Sequence, residues 1–502
     1  MGHPRRPSLL GAHTRADPRA DGDPHPLGDL AGRASAVGVG TRRRRDVRDQ
    51  ARAACDRRCA RARRRLGAMA VSMTDAASAR PPADPLTTLL GSDRFAHAFT
   101  MTAFLVVCCR TVIERTAGIA TYVTMVAVLS VLAVAVLLAH RRVISLPRLT
   151  TPLAVGFVGW AALSLLWNTD PQAGLVSAVS IVAIALVGVA IANTRDTLEV
   201  VHALANVARI VLVLSLALEL LAGVFLDHPI DILGIQGNIA SLGPVQGIFG
   251  TRNALGFTAV MAIVTFVIEW RANTVSPWLS LGSVLLAGAL ALLTGSPIVL
   301  VVAIAGAVAT SVLLMVRHTR APYRSAVQWT LGAAVLASIV LAYLLRQRLI
   351  TLIGADNDIN ARYDLWLTVL RFVRSHPFRG WGWFGPWIPG DMPFSAINAS
   401  LGTTNLSALN AFFDALLQLG WIGFVLFFAL CATAFVRSWI DASNRRSVVY
   451  AWTPLVLVAL IVYSFFESFA LSGFGWLLLV VCATRAYEHQ SLWEWRGRLG
   501  RM

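Results

Sequence analysis

Apolar runs, each about as long as a bilayer core is thick, recur from residue 95 to residue 485 and leave the chain few ways to fold. They fall at about 95–113, 119–139, 150–167, 173–193, 204–226, 254–270, 277–295, 297–316, 326–345, 411–436, 449–466 and 468–485. Roughly 20 helical residues cross the hydrocarbon core, and backbone groups in lipid must be paired within their own segment. Each run is therefore expected as a helix. Composition agrees: 14% of residues are charged, against about 25% in soluble proteins. The expected fold class is an all-α integral membrane protein, with about 12 transmembrane helices and one long outer loop carrying an amphipathic helix.

The net charge of +17 is unevenly spread, because residues 1–68 hold 17 Arg against 7 Asp, or +10, leaving +7 for the rest. Residues 1–90 are rich in Arg, Ala, Gly, Asp and Pro without apolar periodicity, and are expected to be a disordered tail. No apolar h-region makes it a signal peptide. Residues 1–68 are expected to be upstream sequence, with the working start at Met69 or Met73. Arg42 to Arg45 could touch anionic lipid or nucleic acid. A nucleic-acid-binding function does not fit, since the tail shows no recognisable fold and the rest is membrane. Cys55 and Cys59 have no second pair or histidine cluster, so no metal is expected there. Cys108, Cys109, Cys431 and Cys482 lie in apolar runs as packing residues. No cofactor is expected.

Arginine in short loops sets orientation. With the N-terminus inside, the inner loops carry Arg141, Arg142, Arg148, Arg195, Arg271, Arg317, Arg320, Arg324 and the stretch 437–446. A cytoplasmic tail follows at 489–502. Both termini are then cytoplasmic, and residues 91–488 form the membrane domain. The outer connections near 168–172, 227–253, 295–297 and 467 are poor in Arg. The outer loop 346–410 breaks this pattern with Arg346, Arg348, Arg362, Arg371, Arg374 and Arg379, which marks them as functional candidates.

The glycine-rich outer segment 227–253 ends in Gly250-Thr251-Arg252-Asn253 at a helix start. A guanidinium beside free helix N–H groups can seat a diphosphate. An arginine snorkelling to the interface is the plain alternative. Within 360–376, Leu365, Trp366, Val369, Leu370 and Val373 recur at helical spacing, predicting an amphipathic surface helix. Pro377, Gly380 and Gly382 then force a turn crowded with Trp381, Trp383, Phe384 and Trp387. Those rings could stack on sugars or anchor at the interface. Glu219 is the deepest of the charged residues within spans and is expected to make a buried polar contact.

Four stretches resemble the O-antigen ligase and O-antigen polymerase superfamily. The first is Leu163-Ser164-Leu165-Leu166-Trp167 with Asp170-Pro171. The second is Gly247-Ile248-Phe249-Gly250-Thr251-Arg252-Asn253, and the third is Leu293-Thr294-Gly295-Ser296. The fourth runs from Arg362 and Trp366 through His376-Pro377, Gly380 and Gly382 to Asn410 and Leu419-Gly420-Trp421. The resemblance covers roughly 95–485, with its core at about 285–430. It implies transfer or polymerisation of a polyprenyl-diphosphate-linked glycan on the outer face of a bacterial cytoplasmic membrane. The implied partners are a lipid-linked glycan donor, an envelope glycan or lipid acceptor, and membrane lipids. Arg252 and Arg362 suit the diphosphate. His376 or Asp364 could accept the acceptor's proton. Trp381, Trp383, Trp387 and Asn410 are the candidate substrate contacts. The sequence departs from the family at Pro297, usually Arg, and at Leu409, usually His. A non-catalytic or transporter-like protein that binds a lipid-linked glycan therefore stays open.

Overall fold

A computed structural model of the protein describes residues 90–140, 149–241, 243–345, 348 and 356–499. The expectations for the N-terminal tail with Arg42 to Arg45, Cys55 and Cys59, and for Arg141, Arg142, Arg148 and Arg346, lie outside them. The described chain is helical, with one isolated bridge between Ile230 and Ile235. The helices are α1 (Asp93–Cys108), α2 (Arg110–Ala117), α3 (Ile119–Ala139), α4 (Pro152–Leu163) and α5 (Pro171–Thr194). They continue as α6 (Thr197–Leu220), α7 (Arg252–Arg271), α8 (Pro277–Leu293), α9 (Pro297–His318) and α10 (Arg324–Leu344). Then follow α11 (Asp356–Val373), α12 (Phe394–Leu401), α13 (Ala411–Asn444), α14 (Trp452–Ser464) and α15 (Gly473–Leu499).

Among the described residues six helices are long and apolar enough to cross a membrane, or seven if the bent pair α1 and α2 counts as one. Residues 152–167, 277–293 and 448–464 are shorter apolar helices. The protein is a multi-pass membrane protein. Its burial pattern follows from a solvent of hydrocarbon. At the start of α15, Phe474, Trp476, Leu477 and Leu478 are buried against α5, α13 and α14. On the outside, α3 and α9 bury only a stripe and expose Val128, Val131, Leu300 and Ile304. A helix apolar all round but buried on one side is suited to lipid on the other.

Cross-chain hydrogen bonds sort the connections into two ends. At one end Asn193 Nδ2 donates to Leu149 O, and Arg317 donates to the Ala442 and Ser447 carbonyls. At the other, Asn168 reaches Trp383, Thr111 reaches Phe249, and Asn253 reaches Glu467. Residues 168–170, 226–241, 243–251, 294–296, 356–410 and 465–472 belong to this second end, where every motif of the resemblance gathers.

Two breaks are absent from the sequence expectation. The first span bends by 69° between α1 and α2, at Cys109. Helix α13 is interrupted at Gly420, with φ 66° and ψ −167°, a backbone that L-residues do not adopt. Here residues 377–382 lie against the helix. Trp381 N donates to Leu417 O at 3.1 Å, Gly382 N to Gln418 O at 2.8 Å, and Trp421 N to Pro377 O at 2.8 Å. The break exposes carbonyls that lipid cannot satisfy, and the docked turn satisfies them. After Gly420, residues 421–444 still measure roughly 36 Å, enough to span.

The segment 356–419 has an apolar core of its own. Leu365, Val369 and Val373 of α11 face Phe384, Trp387 and Phe394. The spacing read from the sequence is thus the buried stripe of α11, and Asp364 and Arg371 fall on its exposed side.

A Cβ at Gly420 would collide with the Phe378 carbonyl, whereas one at Gly288 of α8 meets nothing. In detergent-solubilised protein, Gly420→Ala is expected to lower the thermal midpoint, by about 1–3 kcal/mol of strain. Gly288→Ala is expected to leave it equal or raise it. Equal midpoints for the two variants would contradict a required break at Gly420.

Candidate functional site

The hub of the site is Glu467, in the short connection between α14 and α15. Its Oε1 accepts from Asn253 Nδ2 at 2.7 Å and pairs with Arg362 Nη2 at 3.3 Å. Arg362, on α11, also donates through Nη1 to the Leu409 carbonyl at 3.4 Å and to the Phe466 carbonyl. Asn253 Oδ1 accepts from Ser296 Oγ at 2.8 Å, and Asn410 Nδ2 donates to Phe465 O at 3.0 Å. Three separated stretches of chain therefore meet at residues 465–467, and Ser296 joins them through Asn253. Burial pushes the Glu467 carboxyl up from its ordinary range, while Arg362 and the bond from Asn253 pull it partly back.

Three helices start around this hub. Thr251 caps α7 by accepting from Ala254 N at 3.2 Å. Ser296 caps α9, with Pro297 in the first turn where its missing N–H costs nothing. Asn410 caps α13, accepting from Phe412 N at 2.9 Å and Phe413 N at 3.2 Å. Each start carries partial positive charge. Arg252, first residue of α7, adds a full one.

Below the hub, Asp414 and Gln418 sit one turn apart on α13, at 1% and 0% exposure. Gln418 Oε1 accepts from Phe384 N at 2.8 Å and Gly385 N at 3.0 Å, and its amide donates to Gly385 O and Asp414 Oδ1. Trp387 Nε1 donates to the same Asp414 oxygen at 2.7 Å. Nearer the bundle axis, Ser164 Oγ accepts from Trp383 N at 2.9 Å, and Asn168 Nδ2 donates to Trp383 O at 2.8 Å. Asp170 caps α5 through Gln172 N and Ala173 N. The Leu-Ser-Leu-Leu-Trp stretch is thus the socket for the turn 379–385.

Two cavities flank that turn. One, of about 200 Å³, is a polar cleft lined by Thr251, Ser407, Asp414, Glu467, Ser468 and Ser472 among others. The second, about 340 Å³, is a groove between α3 and α5 whose wall is mostly apolar, with Ile119, Val123, Val176 and Ile181, and also includes Arg110 and Glu114. Gly385, Pro386, Leu471 and Ser472 line both.

Residues 239–428 match the family described as O-antigen ligase. No curated protein matches the chain. The O-antigen ligase match takes in Arg252, Asn253, Ser296, Arg362, Asn410, Asp414 and Gln418, and ends before Glu467. It begins in the segment ahead of α7 and stops within α13.

The structure brings Arg362 and Asn410 to the hub, with Arg252 beside Asn253. It does not bring His376 or Asp364 there. His376 packs edge-on against Trp381, ring centres 4.6 Å apart, and its Nδ1 lies 3.2 Å from Ser375 Oγ. Asp364 lies on the exposed face of α11. Trp383 and Trp387 are buried at 1% and 2%, against Phe157 and Phe394 respectively, and offer no open face for a sugar. Trp381 keeps part of its surface accessible. Leu409, with φ 48°, offers its carbonyl to Arg362 and its side chain to the core under α11. Glu219 makes the buried contact expected of it, accepting from Gln246 N at 3.0 Å and Gly247 N at 2.8 Å. The sequence reading did not single out Asp414 and Gln418. Two polar residues at i, i+4 inside an apolar helix were the available signal. Among the described residues no group of His, Cys, Asp and Glu is arranged to hold a metal.

Replacing Gln418 with Ala strands the Phe384 and Gly385 amides and removes a donor from Asp414. The expected loss is about 3 kcal/mol, since each buried unsatisfied group costs roughly 1–3 kcal/mol. It is read as a lower thermal midpoint with faster tryptic cleavage at exposed Arg379. An unchanged midpoint would show that the turn 379–385 is held by other contacts.

Proposed function

We propose that the protein transfers or polymerises a polyprenyl-diphosphate-linked glycan on the outer face of the cytoplasmic membrane. One observation carries this reading: a cleft lined by Thr251, Ser407, Asp414, Glu467 and Ser468, beside the start of α7 and the Arg362–Glu467 pair, adjoins a largely apolar groove across a shared wall at Gly385 and Pro386. A polyprenyl-diphosphate glycan has that same sequence of parts. Its hydrocarbon fits the groove, whose residues Ile119 and Val176 face outward where lipid would lie. Its diphosphate suits the positive helix starts with Arg252, and its sugars suit the hydroxyl-lined cleft. The O-antigen ligase match supports glycan transfer or polymerisation as the class of reaction. In this reading the bundle makes twelve passes, with both termini cytoplasmic and the loop 346–410 outside. The acceptor is an envelope glycan or lipid.

Bond formation at the sugar C1 needs charge stabilisation on the departing diphosphate. Arg252 and the N-terminus of α7 provide it. Arg362 already binds Glu467 and two carbonyls, so it holds the cleft together and turns its remaining N–H groups to the diphosphate. Asn410 acts through the connection it holds at Phe465 O, and Trp381 lies outside the lining of both cavities. Trp383 and Trp387 act through the turn they anchor.

A binding-only or transporter-like protein is favoured by the departures at Pro297 and Leu409 and by the helix breaks at Cys109 and Gly420. Two measurements test the proposal, the first its clamp and the second its chemistry. In nanodiscs, Arg252→Ala and Arg362→Ala are each expected to weaken binding of a polyprenyl-diphosphate-linked glycan by about tenfold, ~1.4 kcal/mol. Unchanged affinity in both removes the clamp. In a deletion strain, mass spectrometry is expected to find lipid-linked precursor accumulating with loss of a finished envelope glycan. An unchanged envelope favours the non-catalytic reading.

A further inference from the structure

We propose that Glu467 is the group that takes the proton from the acceptor hydroxyl, which enters the polar cleft beside Ser407, Ser468 and Ser472. This rests on the transfer reading above and assigns its base. The geometry selects Glu467 over the other carboxylates. Both protein donors to Glu467, Asn253 Nδ2 and Arg362 Nη2, meet Oε1. Among the described residues no hydrogen bond reaches Oε2, and the side chain lines the cleft. Asp414 lines the same cleft, but both its oxygens accept protein hydrogen bonds: Oδ1 from Trp387 and Gln418, and Oδ2 from Ala408 N. Asp364 lies on the exposed face of α11, and His376 packs on Trp381. Beside Glu467, Ser468 lines the cleft and its hydroxyl turns to Asp414, which leaves Glu467 Oε2 as the carboxylate oxygen facing a bound acceptor.

The step balances as a displacement. The acceptor oxygen forms a bond to the donor's sugar C1 as the C1–O bond to diphosphate breaks, and that electron pair leaves with the polyprenyl diphosphate. The acceptor proton passes to Glu467, which later returns it to solvent or to the diphosphate. The ionisable and polar groups facing Glu467 are Arg362 of α11, Asn253 of α7 after Arg252, Asp414 of α13 and Tyr463 of α14. Burial raises the Glu467 carboxyl above 4.5, so its proton-accepting form fills at a higher pH than an exposed glutamate's. Turnover therefore rises with pH along an acid limb set by Glu467.

The test uses right-side-out membrane vesicles from the deletion strain carrying full-length variants, with the natural donor and acceptor in place. Turnover is followed as loss of lipid-linked glycan by mass spectrometry. Bare polyprenyl diphosphate serves as the binding probe. Glu467→Gln keeps an oxygen for Asn253 and Arg362. It is expected to bind the probe within about twofold of wild type while turnover falls by about 100-fold or more and the acid limb disappears. Glu467→Asp is expected to keep measurable turnover with a displaced limb. Turnover of Glu467→Gln within about threefold of wild type, or an unmoved limb in Glu467→Asp, overturns the assignment. Probe binding lost together with turnover makes Glu467 structural and overturns it too. If wild type itself consumes no lipid-linked glycan, the transfer reading fails, and this inference with it.

Discussion

A broken helix must hand its freed carbonyls to something, and in this protein it hands them to the turn that builds the site. Gly420 takes a backbone that only glycine accepts readily, and the Leu417 and Gln418 carbonyls pass to the amides of Trp381 and Gly382. The turn cannot leave without stranding them. Once seated, it carries Phe384 and Gly385 onto the Gln418 side chain and Trp387 onto Asp414. Pro386 then forms part of the wall between groove and cleft.

Charge is placed with similar economy. The starts of α7, α9 and α13 face Glu467 and its connection, so helix ends supply positive potential where hydrocarbon forbids loose cations. Arg362 spends its fork on two carbonyls and one carboxylate, which ties α11 to residues 465–467 across 104 and 105 positions of sequence. At the opposite end of the bundle Glu269 pairs with Arg209 and His202, a buried pairing of the same kind that secures α6 to α7.

The helical fold class was legible because hydrocarbon allows few alternatives, and apolar runs mark where helices lie. The buried stripe of α11 was legible from spacing, and the contact of Glu219 from its depth. The motifs at Ser296 and Asn410 were legible, but their roles as caps of α9 and α13 were not. What stayed hidden was non-local. Nothing near Gly420 announces that its partner is the turn at Gly380, because the pairing spans forty residues. The Trp cluster read as sugar-binding because sequence shows aromatic rings but not what covers them. Glu467 read as a charge near a helix end. Its partners come from α7 and α11, and it lies beyond the O-antigen ligase match.

The central claim is that the end of the bundle holding the docked turn, the cleft and Glu467 faces away from the cytoplasm. In a cysteine-free background, a single cysteine at exposed Gly390 is the direct probe. A membrane-impermeant maleimide added to intact spheroplasts is expected to label it fully. Labelling only after the membrane is opened would put the cleft on the cytoplasmic side and contradict the account.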